Sequence, residues 1–194
     1  MTARGPVRVA LHGPTATAHD YHTGEPGSFD RARRSLADAR RAGELAIVTT
    51  WLTRSSFRVL ADMPADLAAQ GVRAWCIEVI ATGEGGPFER FVPRLALALP
   101  RALHAADRAR RLGLAAFVRG APLCLLGPHV TYALPWAPRA YGDACERCAA
   151  RPACPGVDAL YLERFGGGEL RPRDAVAPLP EPADLAALFD GTPI

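Results

Sequence analysis

Apolar and polar positions fall into alternating blocks from residue 7 to about residue 118. The run "VRVAL" is short, apolar and branched, as a buried strand requires. A Gly-, Pro- and Thr-rich stretch follows, read as a loop. In "SFDRARRSLADARRAG", Phe29, Ala32, Leu36 and Ala39 then recur on one helical face. Ser28 is the expected N-cap of that helix and Gly43 its expected C-cap. "LAIVTTWL" predicts a second strand, and "FRVLADMPADLAAQG" a helical stretch interrupted at Pro64 and closed by Gly71. "VRAWCIEVI" predicts a third strand. "PRLALALPRALHAADRARRLG" predicts a helix started or kinked at Pro100 and closed by Gly113, and "LAAFV" a fourth strand. Strands that alternate with helices pair in parallel through right-handed crossovers. The expected class is therefore α/β, with a partial (βα) barrel of about four parallel strands over residues 1–119.

Beyond Gly120 the periodicity stops. Residues 120–172 are rich in Pro and Gly and carry four of the five cysteines, with one short helix expected in "VDALYLERFGG". Residues 173–194 form a proline-punctuated tail that ends in a few helical residues.

Composition narrows the class. A chain of 194 residues, 49% hydrophobic, can bury a core. No run of eighteen or more apolar residues predicts a membrane span, and the N-terminus is too short in apolar residues for a signal peptide. A cytoplasmic location is expected, where clustered thiols serve as metal ligands or catalysts rather than disulfides. All 23 basic residues are arginine, but the net charge is only +3. The arginine runs lie toward predicted helix C-termini, where cations meet the negative end of the dipole. Nucleic acid is not an expected partner, because scattered charge makes a weak footprint.

The chemistry lies in the cysteines. Cys124, Cys145, Cys148 and Cys154 follow the spacing C-x20-C-x2-C-x5-C, in which the close pair lets two sulfurs converge while the chain turns around them. Arg147 and Arg151 lie inside the loop, where positive charge favours thiolates. On spacing alone, four thiolates suit structural zinc and a 4Fe-4S cluster equally. Cys76, alone in a strand, reads as a buried small hydrophobe. His12, His19, Asp20 and His22 cluster in the first loop as a metal or acid/base group, or as loop residues bonding their own backbone. His129 is an alternative ligand near Cys124.

"APLCLLG" and "CERCAARPACPGVDALYLERFGGGELRP" resemble the auxiliary-cluster region of radical S-adenosylmethionine enzymes of the SPASM and twitch type. There a C-x2-C-x5-C run precedes a glycine, a tyrosine-bearing helix and a Gly-x-Glu-Leu stretch. "VALHGPTATAHDYHTGEPGSFDRARRSLADARRAG" and "VTTWLTRSSFRVL" look like the family's third and fourth barrel strands with their loops. The resemblance implies one auxiliary 4Fe-4S cluster on Cys124, Cys145, Cys148 and Cys154, since Asp158 stands where the full pattern has a further cysteine.

The family's initiating C-x3-C-x2-C loop has no counterpart, as no cysteine precedes Cys76. Ala10, Thr23 and Ser56 stand where the family often has serine, arginine and asparagine. The resemblance thus implies a member that is inactive by itself and is not expected to bind S-adenosylmethionine alone. It would be a subunit or half of a split enzyme acting on a peptide or small molecule, with no catalytic residue assignable in this chain. A protein partner, or self-association, is expected at the exposed edge of "VRVAL". The alternative is a non-catalytic zinc-binding interaction module on a degenerate half barrel. A gene model that starts too late is a third reading, decided by whether the DNA upstream of Met1 encodes C-x3-C-x2-C in frame.

Overall fold

The computed structural model describes residues 5–80, 87–134, 136–137, 139–175 and 185–189. Much of the proline-rich tail expected over 173–194 therefore lies outside the described residues. Five strands, β1 (Val7–Ala10), β2 (Ala46–Trp51), β3 (Ala74–Glu78), β4 (Ala115–Arg119) and β5 (Ala133–Leu134), form one sheet in the order β1-β2-β3-β4-β5. Every neighbouring pair is parallel. The helices are α1 (Ala16–Thr23), α2 (Ser28–Ala42), α3 (Met63–Ala69), α4 (Phe88–Phe91), α5 (Leu95–Arg111), α6 (Leu123–Leu126) and α7 (Ala159–Phe165). The expected α/β class holds, with one strand more than expected. The added β5 is only two residues long, too short for any periodicity to register.

The two faces of the sheet are buried by different parts of the chain. On one face Val9, Val48, Trp75, Ile77, Ala116 and Val118 pack against Leu36, Leu67, Leu99 and their neighbours from α2, α3 and α5. Ala98, Ala102, Ala105, Ala106 and Ala109 of α5 are buried there, so small side chains let this long helix lie close to the strands. A polar seam crosses the same layer: Trp75 Nε1 donates to Thr50 Oγ1 (2.8 Å), and that hydroxyl donates to the Leu11 carbonyl (2.6 Å). On the other face Ile47, Cys76, Phe117 and Leu134 lie beneath the C-terminal segment, whose 3-10 turn Ala187–Phe189 places Phe189 6.0 Å from Phe117. Cys76 is fully buried, and burial pushes its thiol up to about 12.

Several local expectations are corrected. The stretch after β1 is not all loop, because Thr15 caps α1 by accepting the Ala18 N–H (3.3 Å) and Gly24 ends it in the left-handed region. Ser28 is the first residue of α2 rather than its cap. The carboxylate of Asp20 does the capping, accepting the Gly27 N–H (2.7 Å), the Phe29 N–H (2.8 Å) and the Ser28 hydroxyl (2.8 Å). These bonds hold the Asp20 carboxyl below its ordinary value. Pro64 lies in the first turn of α3, where its missing N–H costs nothing, and α5 runs from Leu95 through Pro100 without starting there. Among the described residues no helix is long and apolar enough to cross a membrane.

Candidate metal centre

The three clustered cysteines sit on a closed loop. Ala140 and Val157 form an isolated antiparallel bridge with both bonds made, Ala140 N–H to Val157 O (2.9 Å) and Val157 N–H to Ala140 O (3.0 Å). Between them the chain makes two 3-10 turns, Asp143–Arg147 and Arg151–Ala153. Cys145 lies in the first, and Cys148 and Cys154 follow the two turns as their end residues. Gly156 closes the loop with φ 65, and a Cβ there would collide with the Ala140 carbonyl, so only glycine serves. Tyr141 reaches across to donate to the Cys154 carbonyl (2.7 Å). The fourth cysteine, Cys124, comes from α6 just beyond β4 and reaches the same place.

Cys124, Cys145, Cys148 and Cys154 line one small, tight space, together with Leu123, Tyr141, Ala150, Arg151, Leu170 and Arg171. The spacing argument therefore selects four side chains that do surround one space. Main-chain amides approach all four sulfurs. Leu123 N–H and Gly156 N–H donate to Cys154 Sγ (3.4 Å each), and Arg173 N–H donates to Cys148 Sγ (3.3 Å). Burial pushes the Cys124 thiol up while the Arg171 amide pulls it down; at Cys145 burial likewise raises the thiol and the Gly142 amide opposes it. Sulfurs met by N–H dipoles are suited to carry negative charge. Among the described residues no group of three or more His, Cys, Asp or Glu is gathered tightly enough to hold a metal ion. The four cysteines share the lining of one space.

Of the two arginines expected to charge the loop, Arg151 lines the cavity with its guanidinium 4.9 Å from the Tyr141 ring, whereas Arg147 is exposed and does not line it. Four further residues hold the region together; Tyr161 and Glu169 lie in the tyrosine-bearing helix and Gly-x-Glu-Leu stretch that carry the resemblance, whereas nothing in the sequence marks Arg173 or Arg139. Arg173 ties the tail to the loop by accepting the Ala149 N–H on its carbonyl (2.8 Å) and donating to the carbonyls of Leu123 (3.3 Å) and Gly127 (3.2 Å). Glu169 and Tyr161 fasten α7 and the glycine turn to the start of α5. Arg139 donates from Nη2 to the carbonyls of Gly120, at the end of β4, and Gly156, in the cysteine loop.

His129 packs at a tilt against Tyr132 (5.1 Å between ring centres) and lines a separate groove with His104 and Asp107. The first-loop histidines do come together. His12 lies 4.1 Å from His22 and 5.6 Å from His19, all three buried at the carboxyl end of β1. The Trp51 N–H donates to His12 Nδ1 (3.2 Å) and the His12 N–H to His19 Nδ1 (3.0 Å), so both rings accept from backbone and carry their proton on Nε2. Burial, with the neighbouring imidazoles, lowers His12 to about 3 and His22 to about 4. His22 Nδ1 instead meets the Thr53 hydroxyl (3.4 Å), so two of the three rings are bonded to backbone and one to a side chain. Asp20 bonds the start of α2, and its charge also acts on His19.

No family model and no curated protein matches this sequence.

Proposed function

We propose that the chain is a radical S-adenosylmethionine family protein of the SPASM or twitch type, in which Cys124, Cys145, Cys148 and Cys154 hold one 4Fe-4S cluster. The observation that carries this reading is the lining of one space by four cysteines, each met by a main-chain amide. A donor set of four thiolates fits such a centre. Four thiolates suit one tetrahedral zinc equally, and it is the resemblance of the C-x2-C-x5-C run and the segment after it to an auxiliary-cluster region that favours iron and sulfide. The sequential strand order, with helices packed on one face, supports an arc of a (βα) barrel.

When bound, a centre ligated by four thiolates supplies one-electron transfer. Cys124, Cys145, Cys148 and Cys154 would hold it, with Leu123, Leu170, Arg151 and Arg171 lining the same space. With a thiolate on every iron, no site is open to S-adenosylmethionine, and the sequence carries no C-x3-C-x2-C loop to provide one. In this reading the chain works in the cytoplasm with a second protein, as a subunit or half of a split enzyme that modifies a peptide or small molecule. Strand β1 pairs only with β2 among the described residues, which leaves an edge for the partner.

The test is anaerobic reconstitution with iron and sulfide. About four irons per chain and a brown chromophore are expected, and Cys148→Ala should lose both. Stoichiometric zinc in protein purified without oxygen, with no uptake of iron and sulfide, would overturn the reading.

A further inference from the structure

Trp51, Glu78 and Arg119 stand side by side in register at the carboxyl ends of β2, β3 and β4. Glu78 and Arg119 lie two residues beyond Cys76 and Phe117, so they share the face that the C-terminal segment covers. Parallel α/β folds bind their ligands at the carboxyl ends of the strands. Here Arg119 Nη2 donates to Glu78 Oε2 (2.8 Å), both side chains more than nine-tenths buried, and the Trp136 ring lies 4.5 Å from the guanidinium. Two features set the covering segment apart from ordinary core. It is held by its main chain, because Arg119 Nη1 donates to the Phe189 carbonyl (2.7 Å), a group every peptide carries. It also fills the site incompletely: Arg119 Nε is buried with no partner among the described residues, and an unmet buried donor is costly. Its side chains add little, since within Leu185–Phe189 only Ala186 and Phe189 are buried, Phe189 lying 6.0 Å from Phe117.

We infer that this end of the sheet is a peptide-binding site, which Leu185–Phe189 occupies as an internal ligand until a partner protein displaces it. The partner it fits carries a short exposed segment in which small and aliphatic residues precede an aromatic one, as in "LAALF". Arg119 takes the main-chain carbonyl of the aromatic residue, and Phe117 meets its ring. An occupant with one more acceptor would also use Arg119 Nε, which the internal segment leaves unmet. The inference stands apart from the four cysteines, which pack with the opposite layer.

The probe is a fluorescein-labelled peptide of residues 184–191, "DLAALFDG", titrated into the full-length native chain and into full-length Phe189→Ala, with binding read by fluorescence anisotropy. A tethered segment competes at an effective concentration of millimolar order, so the native chain should bind the probe at least ~10-fold more weakly than Phe189→Ala does. The same peptide with Ala in place of Phe should bind neither chain. Failure of Phe189→Ala to bind the probe, or equal binding by the two chains, would overturn the inference. If Phe189→Ala is unfolded by far-UV circular dichroism, refolding on addition of the probe supports the site; no refolding makes Phe189 a core residue and overturns it. A native dimer that is lost in Phe189→Ala would make the occupant the tail of a second copy and overturn it as well.

Discussion

Tyr161 donates its hydroxyl to Glu169 Oε2 at 2.5 Å while accepting the N–H of Leu95 at 2.9 Å, and the same carboxylate oxygen accepts the N–H of Ala96 at 3.2 Å. Two side chains from beyond the cysteine loop thus satisfy the first amides of α5, whose own N-cap, Arg94, offers no side-chain bond. Negative charge at that end also meets the positive pole of the helix. The cysteine region and the βα layers are joined at the point where α5 begins.

Tyr161→Phe should therefore destabilise the whole chain by about 1–3 kcal/mol, because it leaves the buried Leu95 N–H without an acceptor. Urea unfolding followed by far-UV circular dichroism measures this. A loss confined to the cysteine region, with the helical transition unmoved, would contradict the joint.

Gly156→Ala should lower the melting temperature and weaken retention of iron, since the added carbon strikes the Ala140 carbonyl and opens the loop bridge. Gly113→Ala is the control. Gly113 has φ 86 but nothing within 4 Å of the new Cβ, so only the left-handed backbone cost of about 1–2 kcal/mol applies there. Equal effects at the two sites would remove the steric argument.

Thr50→Val should cost about 1–3 kcal/mol by orphaning both the Trp75 indole N–H and the Leu11 carbonyl within the helix-packed layer. Differential scanning calorimetry reads the loss directly. A double variant that also replaces Trp75 by Phe should recover part of it, because the stranded donor is then gone.

Acid should destabilise the chain through His12. Its folded value near 3 lies below the ordinary 6.5, so between those values the unfolded chain binds a proton that the folded chain refuses. Stability from this group is complete above about pH 6.5 and falls as the pH drops toward 3, by up to about 1.4 kcal/mol per unit. Urea midpoints at pH 7, 5.5 and 4.5 should decline, and His12→Gln should flatten the decline. A decline unchanged in the variant would assign the effect to other groups.

Association at the β1 edge is best probed at Arg8, not at Val9. Val9 is buried in the helix-packed core, so a charge there would damage the fold itself. The amides of Val7 and Leu11 bond β2, and Arg8, between them in register, is exposed. Arg8→Pro should reduce self-association or partner binding in sedimentation velocity while leaving the melting temperature nearly unchanged. A native chain that stays monomeric and exchanges no edge amides would mean that the edge is covered.

The legible parts of this molecule are those whose causes lie within a few residues. Leu36 and Ala39 mark a face of α2, and the apolar runs around Val48, Ile77 and Val118 read as strands, because burial repeats with the period of the backbone. Helix α1 escaped because its residues are mostly polar and its Gly-Pro-Thr flank looks like a turn; a single hydroxyl at Thr15 starts it. The four cysteines were found by spacing. The amides of Leu123, Arg171 and Arg173 that meet them were not, since any residue supplies an amide and only tertiary packing aims it. Arg139 was invisible for a related reason: among 23 arginines, nothing local marks the one whose guanidinium ties the end of β4 to the cysteine loop.

The sequential order of the sheet bears on how the molecule comes to be. Each strand adds beside the one just before it, through one crossover, so the pairings of β1 to β4 join stretches adjacent along the chain. Such contacts close short loops at low entropic cost and favour rapid folding as the polypeptide leaves the ribosome. The face that carries Ile47, Cys76 and Phe117 must wait for Leu185–Phe189, which is made much later. During synthesis that surface stands bare for the time needed to translate more than a hundred residues after Cys76, and over that interval a chaperone or an assembling protein has its access to it.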